Sequence, residues 1–161
     1  MASTRFPGKP LCDLLGKPMI QWGVEAARLS GVTTRIVVAT PDQEILEACE
    51  RIGVEALLTR MDHPSGTDRI AEVSQHLQCS VYVNVQGDEP LINPATIRAC
   101  VEPLLADPTV AMGSVYAECP TTEVDNPAVV KVVTDWENYA LYFSRHAIPY
   151  PRTVSYTHLT L

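Results

Sequence analysis

The chain has no apolar run approaching the ~20 residues that a helical membrane span requires, and it does not open on a secretory signal pattern. It is therefore expected to be soluble and cytoplasmic. It also lacks a basic surplus: 12 Lys and Arg stand against 19 Asp and Glu, giving a net charge of −7 and a pI near 5.0. Nucleic acid and anionic membrane, which need broad basic surfaces, are excluded as main partners. No CxxC pair occurs, and the five cysteines Cys12, Cys49, Cys79, Cys100 and Cys119 are odd in number and widely spaced. Neither a disulfide framework nor a zinc site is signalled, which leaves free thiols in a reducing compartment. The G-x-G-x-x-G, Walker and G-x-S-x-G patterns are missing too, which argues against dehydrogenase, P-loop kinase and hydrolase chemistry. Without repeats, low-complexity runs or linkers, 161 residues make one ordinary domain able to bury its own core.

What the sequence does contain begins at its first residues. Met1-Ala2-Ser3-Thr4-Arg5-Phe6-Pro7-Gly8-Lys9-Pro10 gathers two cations, two hydroxyls and a Pro-Gly turn. Arg5 and Lys9 suit phosphate oxygens, Ser3 and Thr4 can donate to them, and Gly8 lets backbone approach a ligand closely. Arg5, Lys9 and Lys17 against Asp13 leave residues 1–17 at +2, and the rest of the chain therefore at −9. Positive potential is focused where a small anion would sit. A solvated basic turn is the plainer alternative.

Apolar periodicity alternates between helical and strand kinds, as in an α/β domain with a largely parallel sheet. Met19, Ile20, Val24 and Ala27 mark a first helix ending near Gly31, followed by a buried strand over 35–40. Asp42 caps a second helix, with Ile45, Leu46, Cys49 and Ile52 on one face and Gly53 ending it before a strand over 54–58. These form one βαβ unit. Ile70, Val73 and Leu77 mark a third helix, and residues 81–85 read as a strand running into Gln86-Gly87-Asp88-Glu89-Pro90. Asn93-Pro94 has cap-then-first-turn chemistry for a fourth helix up to about Leu105. Residues 110–117 and 129–133 read as further strands, and 140–144 as a strand or a helix.

In an open α/β sheet ligands gather outside the carboxyl ends of the strands, so the residues just after each strand carry the candidates. Asp88 follows a near-continuously apolar strand, where a carboxylate either holds Mg²⁺ together with substrate phosphates or caps a turn. His63-Pro64-Ser65-Gly66-Thr67-Asp68-Arg69 runs from a small-residue loop into a helix whose amide-rich N-terminus can receive an anionic group. Simple capping by Ser65 or Thr67 explains the same composition. His63 has no second metal ligand at a usable spacing. Arg145, after Tyr142-Phe143, either binds a carboxylate bidentately or is structurally paired.

Taken together, the opening loop, the 63–69 segment, Asn84-Val85-Gln86-Gly87-Asp88-Glu89-Pro90 and Tyr142-Phe143-Ser144-Arg145 resemble the 3-deoxy-manno-octulosonate cytidylyltransferases, the CMP-Kdo synthetases. The opening loop is common to sugar nucleotidyltransferases, whereas the other three segments point to this family. The resemblance implies a Rossmann-like nucleotidyltransferase sandwich with a mixed, mostly parallel sheet. It implies a Mg²⁺-dependent reaction of CTP with Kdo giving CMP-Kdo and pyrophosphate for lipopolysaccharide synthesis, and a homodimer. Carried over by residue, Ser3, Arg5, Lys9, Ser65, Gly66, Asp68 and Arg69 would bind the nucleotide, and Lys9 and Asp88 would be catalytic. Asp88 would hold Mg²⁺, while Gln86 and Arg145 would face the sugar acid. Two rival readings remain: a cytidylyltransferase for another 2-keto sugar acid such as sialic acid, and a non-catalytic nucleotide-binding module.

The chain departs from the family at both ends. Family members carry a buried strand and an arginine ahead of the position of Met1, and a further stretch with a sugar-contacting His and Tyr, an acidic residue and a second Mg²⁺-binding Asp. Residues 1–152 are thus expected to form a partial nucleotidyltransferase domain, with 153–161 an unrelated-looking tail. The 161 residues alone are expected to be marginally folded and inactive.

Overall fold

The computed structural model describes residues 8–150, which fall into two compact units divided between Val115 and Tyr116. Residues 153–161 lie outside the described residues, as do Ser3 and Arg5 of the opening loop. In the first unit a 3₁₀ turn, Lys9–Leu11, precedes a short antiparallel pair, β1 (Asp13–Leu14) and β2 (Lys17–Pro18). Helix α1 (Met19–Ser30) follows directly and stops at Gly31, whose φ of 73° is the left-handed conformation that glycine adopts without strain. The turn is tied to α1 by Trp22, whose Nε1 donates to the Leu14 carbonyl at 3.0 Å, and by an ion pair of Lys17 with Glu25 at 2.7 Å.

The expected βαβ unit is present. β3 (Val37–Thr40) and β4 (Glu55–Leu58) pair in parallel, Val37 opposite Glu55 and Thr40 opposite Leu58, joined by α2 (Gln43–Arg51). Ile45 and Cys49, on the buried face of α2, pack with Ile20 and Val24 of α1 and with Val54, so one face of each helix closes over the strand pair. Asp42 stands at the N-cap of α2, yet its side chain makes no capping bond; its carbonyl accepts from Ile45 and Leu46 instead. The expected Asp42 cap is corrected accordingly. Gly53, with φ 67°, turns the chain into β4.

At the start of the β3–β4 pair Arg35 makes a bidentate ion pair with Glu55, Nε to Oε2 at 2.8 Å and Nη2 to Oε1 at 2.5 Å. Those hydrogen bonds hold the Glu55 carboxyl below its ordinary value, against a smaller opposing effect of burial. A depressed folded-state pKa contributes stability that is present above the unfolded value, about 4.3, and is lost as pH falls through the folded one. Glu55→Gln is therefore expected to destabilise the chain at pH 7, by a difference that is smaller at pH 3. Urea unfolding at the two pH values checks this; an equal difference at both would remove the ion pair as its cause.

Helix α3 (Gly66–His76) and helix α4 (Pro94–Ala106) complete the first unit. The α4 start is as the sequence indicates: the Asn93 side chain accepts from the Ala95 amide at 2.8 Å, and Pro94 occupies the first turn, where no amide is needed. Ile97 of α4 is buried against Ala26 and Ala27, with Val83 and Val85 packed on the same cluster. Arg98 Nε reaches the Ser30 carbonyl at 3.0 Å and fixes α4 to the end of α1.

Two expected strands are absent. Residues 81–85 half-bury Val83 and Val85 but make no ladder bonds, because no described strand lies alongside them. A cleft of about 280 Å³ is lined on one side by Ile36, Val38 and Ala39 and on another by Asn84, Val85 and Gln86. Residues 110–117 likewise have no partner, and 111–117 are exposed. Among the described residues the ladders form three two-stranded sheets, of which β3–β4 is parallel and the others antiparallel.

The second unit holds a 3₁₀ turn, Thr121–Glu123, and an antiparallel hairpin of β5 (Lys131–Thr134) and β6 (Ala140–Ser144), which settles 140–144 as a strand. The Asp135 side chain caps the hairpin loop by accepting from the Glu137 and Tyr139 amides at 2.9 and 2.8 Å. Buried Lys131 spends its ammonium on three carbonyls, those of Asn126, Val129 and Arg145, at 2.7 to 3.0 Å.

Candidate functional site

Gly8, at φ 72°, opens the 3₁₀ turn, and its carbonyl accepts from Leu11 at 2.9 Å. The turn carries Lys9 toward the segment after residue 85, and Lys9 Nζ meets Asp88 Oδ2 at 2.8 Å. Both side chains are substantially solvent-accessible, at 36% and 50%, so the pair by itself adds little stability and is open to exchange with a charged ligand. Asp88 sits in a turn in which the Glu89 amide donates to the Gln86 carbonyl at 3.3 Å.

The same turn meets the start of α3. A Cβ built on Gly66 would stand 3.6 Å from Gln86 Nε2 and 3.8 Å from Oε1, so the first residue of α3 lies against the Gln86 amide group. Ser65 is the N-cap: its Oγ accepts from the Asp68 amide at 3.2 Å and also hydrogen-bonds the Asp68 carboxylate. Capping is thus a role that Ser65 and Asp68 perform. Arg69 is buried, and its Nη1 donates to Thr59 Oγ1 and to the Arg60 carbonyl, the latter at 2.8 Å. Arg69, Gly66 and Gln86 all line the cleft below, whereas Lys9 and Asp88 stand outside its lining.

Lys9, Asp88, Gln86, Ser65, Gly66, Asp68 and Arg69 therefore lie on three segments of one unit, the turn at Lys9, the turn after residue 85 and the start of α3, with the middle one touching each of the others. Arg145 belongs to the second unit, where its Nη1 donates to the Pro127 carbonyl at 2.8 Å, the structurally paired alternative. Ser3 and Arg5 lie outside the described residues. Glu72 carries no sequence expectation. Its Oε2 accepts from the Arg60 amide at 3.1 Å and pairs with His63 Nε2. The His63 hydrogen bond holds the Glu72 carboxyl below the ordinary range, partly opposed by burial. The only sequence signal for it is the spacing of Arg69 and Glu72, three apart and so on one helix face.

A hard divalent cation such as Mg²⁺ is commonly held by one or two carboxylates together with substrate phosphates. Asp88, accessible and next to a lysine suited to those phosphates, fits as a single protein ligand. No cluster of three or more ligating side chains occurs among the described residues, so they form no all-protein cage.

A layered α/β unit with a glycine-opened cationic turn, a carboxylate facing it and a helix N-terminus against Gln86, two residues before that carboxylate, has the parts of a nucleotidyl-transfer site. The chain belongs to the cytidylyltransferase family, which it matches over residues 1–157. Within that family it is 49% identical over 151 residues to the 3-deoxy-manno-octulosonate cytidylyltransferase of Trichlorobacter lovleyi, covering 93% of this chain and 60% of that protein. With the enzyme of the same name from Syntrophotalea carbinolica the identity is 48% over 155 residues, covering 96% and 62%. Among solved structures, CMP:2-keto-3-deoxy-manno-octonic acid synthetase complexed with CTP superposes with a TM-score of 0.85 at 40% identity, over 94% of this chain and 63% of that one. This likeness bears out the Rossmann-like nucleotidyltransferase fold expected from the sequence. The chain spans about 60% of the length of the curated relatives it matches.

Proposed function

We propose that the whole protein joins CTP to Kdo, giving CMP-Kdo and pyrophosphate, in the cytoplasm and in service of lipopolysaccharide synthesis. The observation that carries the reading is the Lys9–Asp88 pair at 2.8 Å, a phosphate-seeking cation and a cation-seeking carboxylate within one contact. CTP presents what would separate them, a triphosphate for Lys9 and, with it, Mg²⁺ for Asp88. The anomeric hydroxyl of the sugar acid attacks the α-phosphorus; the new O–P bond forms as the bond to the β-phosphate oxygen breaks, and the hydroxyl proton passes to solvent. Lys9 stabilises charge building on the phosphates and on departing pyrophosphate, with no covalent enzyme intermediate. Asp88 would hold Mg²⁺, which when bound would supply electrophilic activation of the phosphate and charge neutralisation.

The start of α3, with Ser65 as its cap and Gly66 against Gln86, receives polar parts of the substrates. Asp68 and Arg69 act there by fixing the loop. Gln86 and Arg145 are assigned to the sugar acid, and the working form is a homodimer. Pyrophosphate release measured with the whole protein, CTP, Mg²⁺ and a panel of 2-keto sugar acids tests the reading. Turnover confined to Kdo is expected; preference for a sialic acid would move the substrate, and CTP binding without turnover would leave a nucleotide-binding module.

A further inference from the structure

The segment between β4 and α3 is held by side chains that the reaction itself does not call on. Two residues of α3 grip the peptide groups on both sides of Arg60: Glu72 accepts its amide at 3.1 Å, and Arg69 donates to its carbonyl at 2.8 Å. Arg69 also reaches Thr59 Oγ1, one residue earlier, and His63 closes on the same Glu72 oxygen three residues later. The Arg60 side chain turns outward to Asp62, at 2.9 and 2.6 Å. Residues 59–63 are thus laid along the first two turns of α3, and only Pro64 separates His63 from the cap, Ser65.

This clamp is better covered than the site it supports. The His63 and Glu72 side chains are 12% and 20% exposed, against 36% and 50% for Lys9 and Asp88. A carboxylate accepting from a backbone amide and a histidine while half-buried is a demanding arrangement that a freely moving loop would not hold. What it fixes is where the chain enters α3, and so where the first amides of the helix stand relative to Gln86.

We infer that Glu72 is a positioning residue which, acting through His63 and the Arg60 amide, sets the N-terminus of α3 in the geometry that receives the nucleotide. The inference rests on the cytidylyltransferase reading for its ligand, though not for the clamp itself. Alanine is a good helix former, so Glu72→Ala leaves α3 intact while removing both contacts. Glu72→Gln keeps an acceptor for the Arg60 amide and a polar partner for His63.

Steady-state kinetics of the whole protein should show KM for CTP raised about tenfold in Glu72→Ala, with kcat and KM for the sugar acid within about twofold, as loss of a charge-assisted hydrogen bond acting on one subsite requires. Glu72→Gln should recover most of that change. Limited trypsin digestion without nucleotide should cut after Arg60 about tenfold faster in Glu72→Ala, while cleavage after the helical Arg28 stays constant. An unchanged KM for CTP overturns the inference, as does a fall in kcat and both affinities together with the melting temperature. Should the wild-type protein release no pyrophosphate from CTP, the enzymatic reading fails, and the clamp is then judged by trypsin alone: unaltered cleavage after Arg60 sinks it.

Discussion

Asp88→Asn is expected to abolish turnover at ordinary Mg²⁺ concentrations while leaving the unfolding transition unchanged. Asp88 lies in an accessible turn, and its one side-chain partner among the described residues is Lys9, so its loss removes no buried interaction. A neutral amide is a far weaker ligand for a hard cation than a carboxylate, and no cluster of other ligating side chains among the described residues can take over. Mg²⁺ dependence of pyrophosphate release is the measurement. If the variant keeps the wild-type rate and the same Mg²⁺ midpoint, Asp88 merely shapes the turn.

Lys9→Ala should weaken CTP binding by about 1.5–3 kcal/mol, roughly 10- to 150-fold, the range for a charge-assisted hydrogen bond. Because Lys9 is also the counter-ion of Asp88, its removal has a second effect of opposite sign. Without nucleotide the carboxylate is freed of a competing cation, and Mg²⁺ alone should bind the variant more tightly than wild type. Calorimetric titrations of CTP and of Mg²⁺, each alone, separate the two effects. The Lys9 and Asp88 changes should not add when combined, since each alters the same contact. Unchanged CTP affinity in Lys9→Ala would take the triphosphate away from this lysine.

What the sequence makes legible here is what is local. The Asn93-Pro94 start of α4, the glycine ends at Gly31 and Gly53 and the apolar face of α2 each depend on residues within a turn or two, and each is found where expected. A strand is different, because its hydrogen bonds belong to a neighbour distant in sequence. Residues 81–85 and 110–117 have strand-like composition, but their apolar pattern cannot announce whether a partner stands alongside. The site divides in the same way. Ser65 as a cap follows from one helical turn, whereas a separation of 79 positions between Lys9 and Asp88 says nothing about a 2.8 Å contact. Family resemblance placed both residues in one site; only the fold shows that they neutralise each other. Glu72 is not legible in the sequence because an acidic residue on an exposed-looking helix carries no distinguishing mark until the loop folds back on it.

The thiols offer a use for the core beyond holding the fold. Cys49, on α2, is fully buried against α1 and Val54, and burial raises its thiol pKa, so it is closed to alkylating reagents while the unit is shut. Cys79 is exposed, and Cys12, Cys100 and Cys119 are half-covered. With no residue changed, the order in which these five positions gain mass in an alkylating reagent becomes a clock for structural opening. Early Cys79 modification reports the surface, and Cys49 modification reports the moment at which α2 lifts from the strand pair.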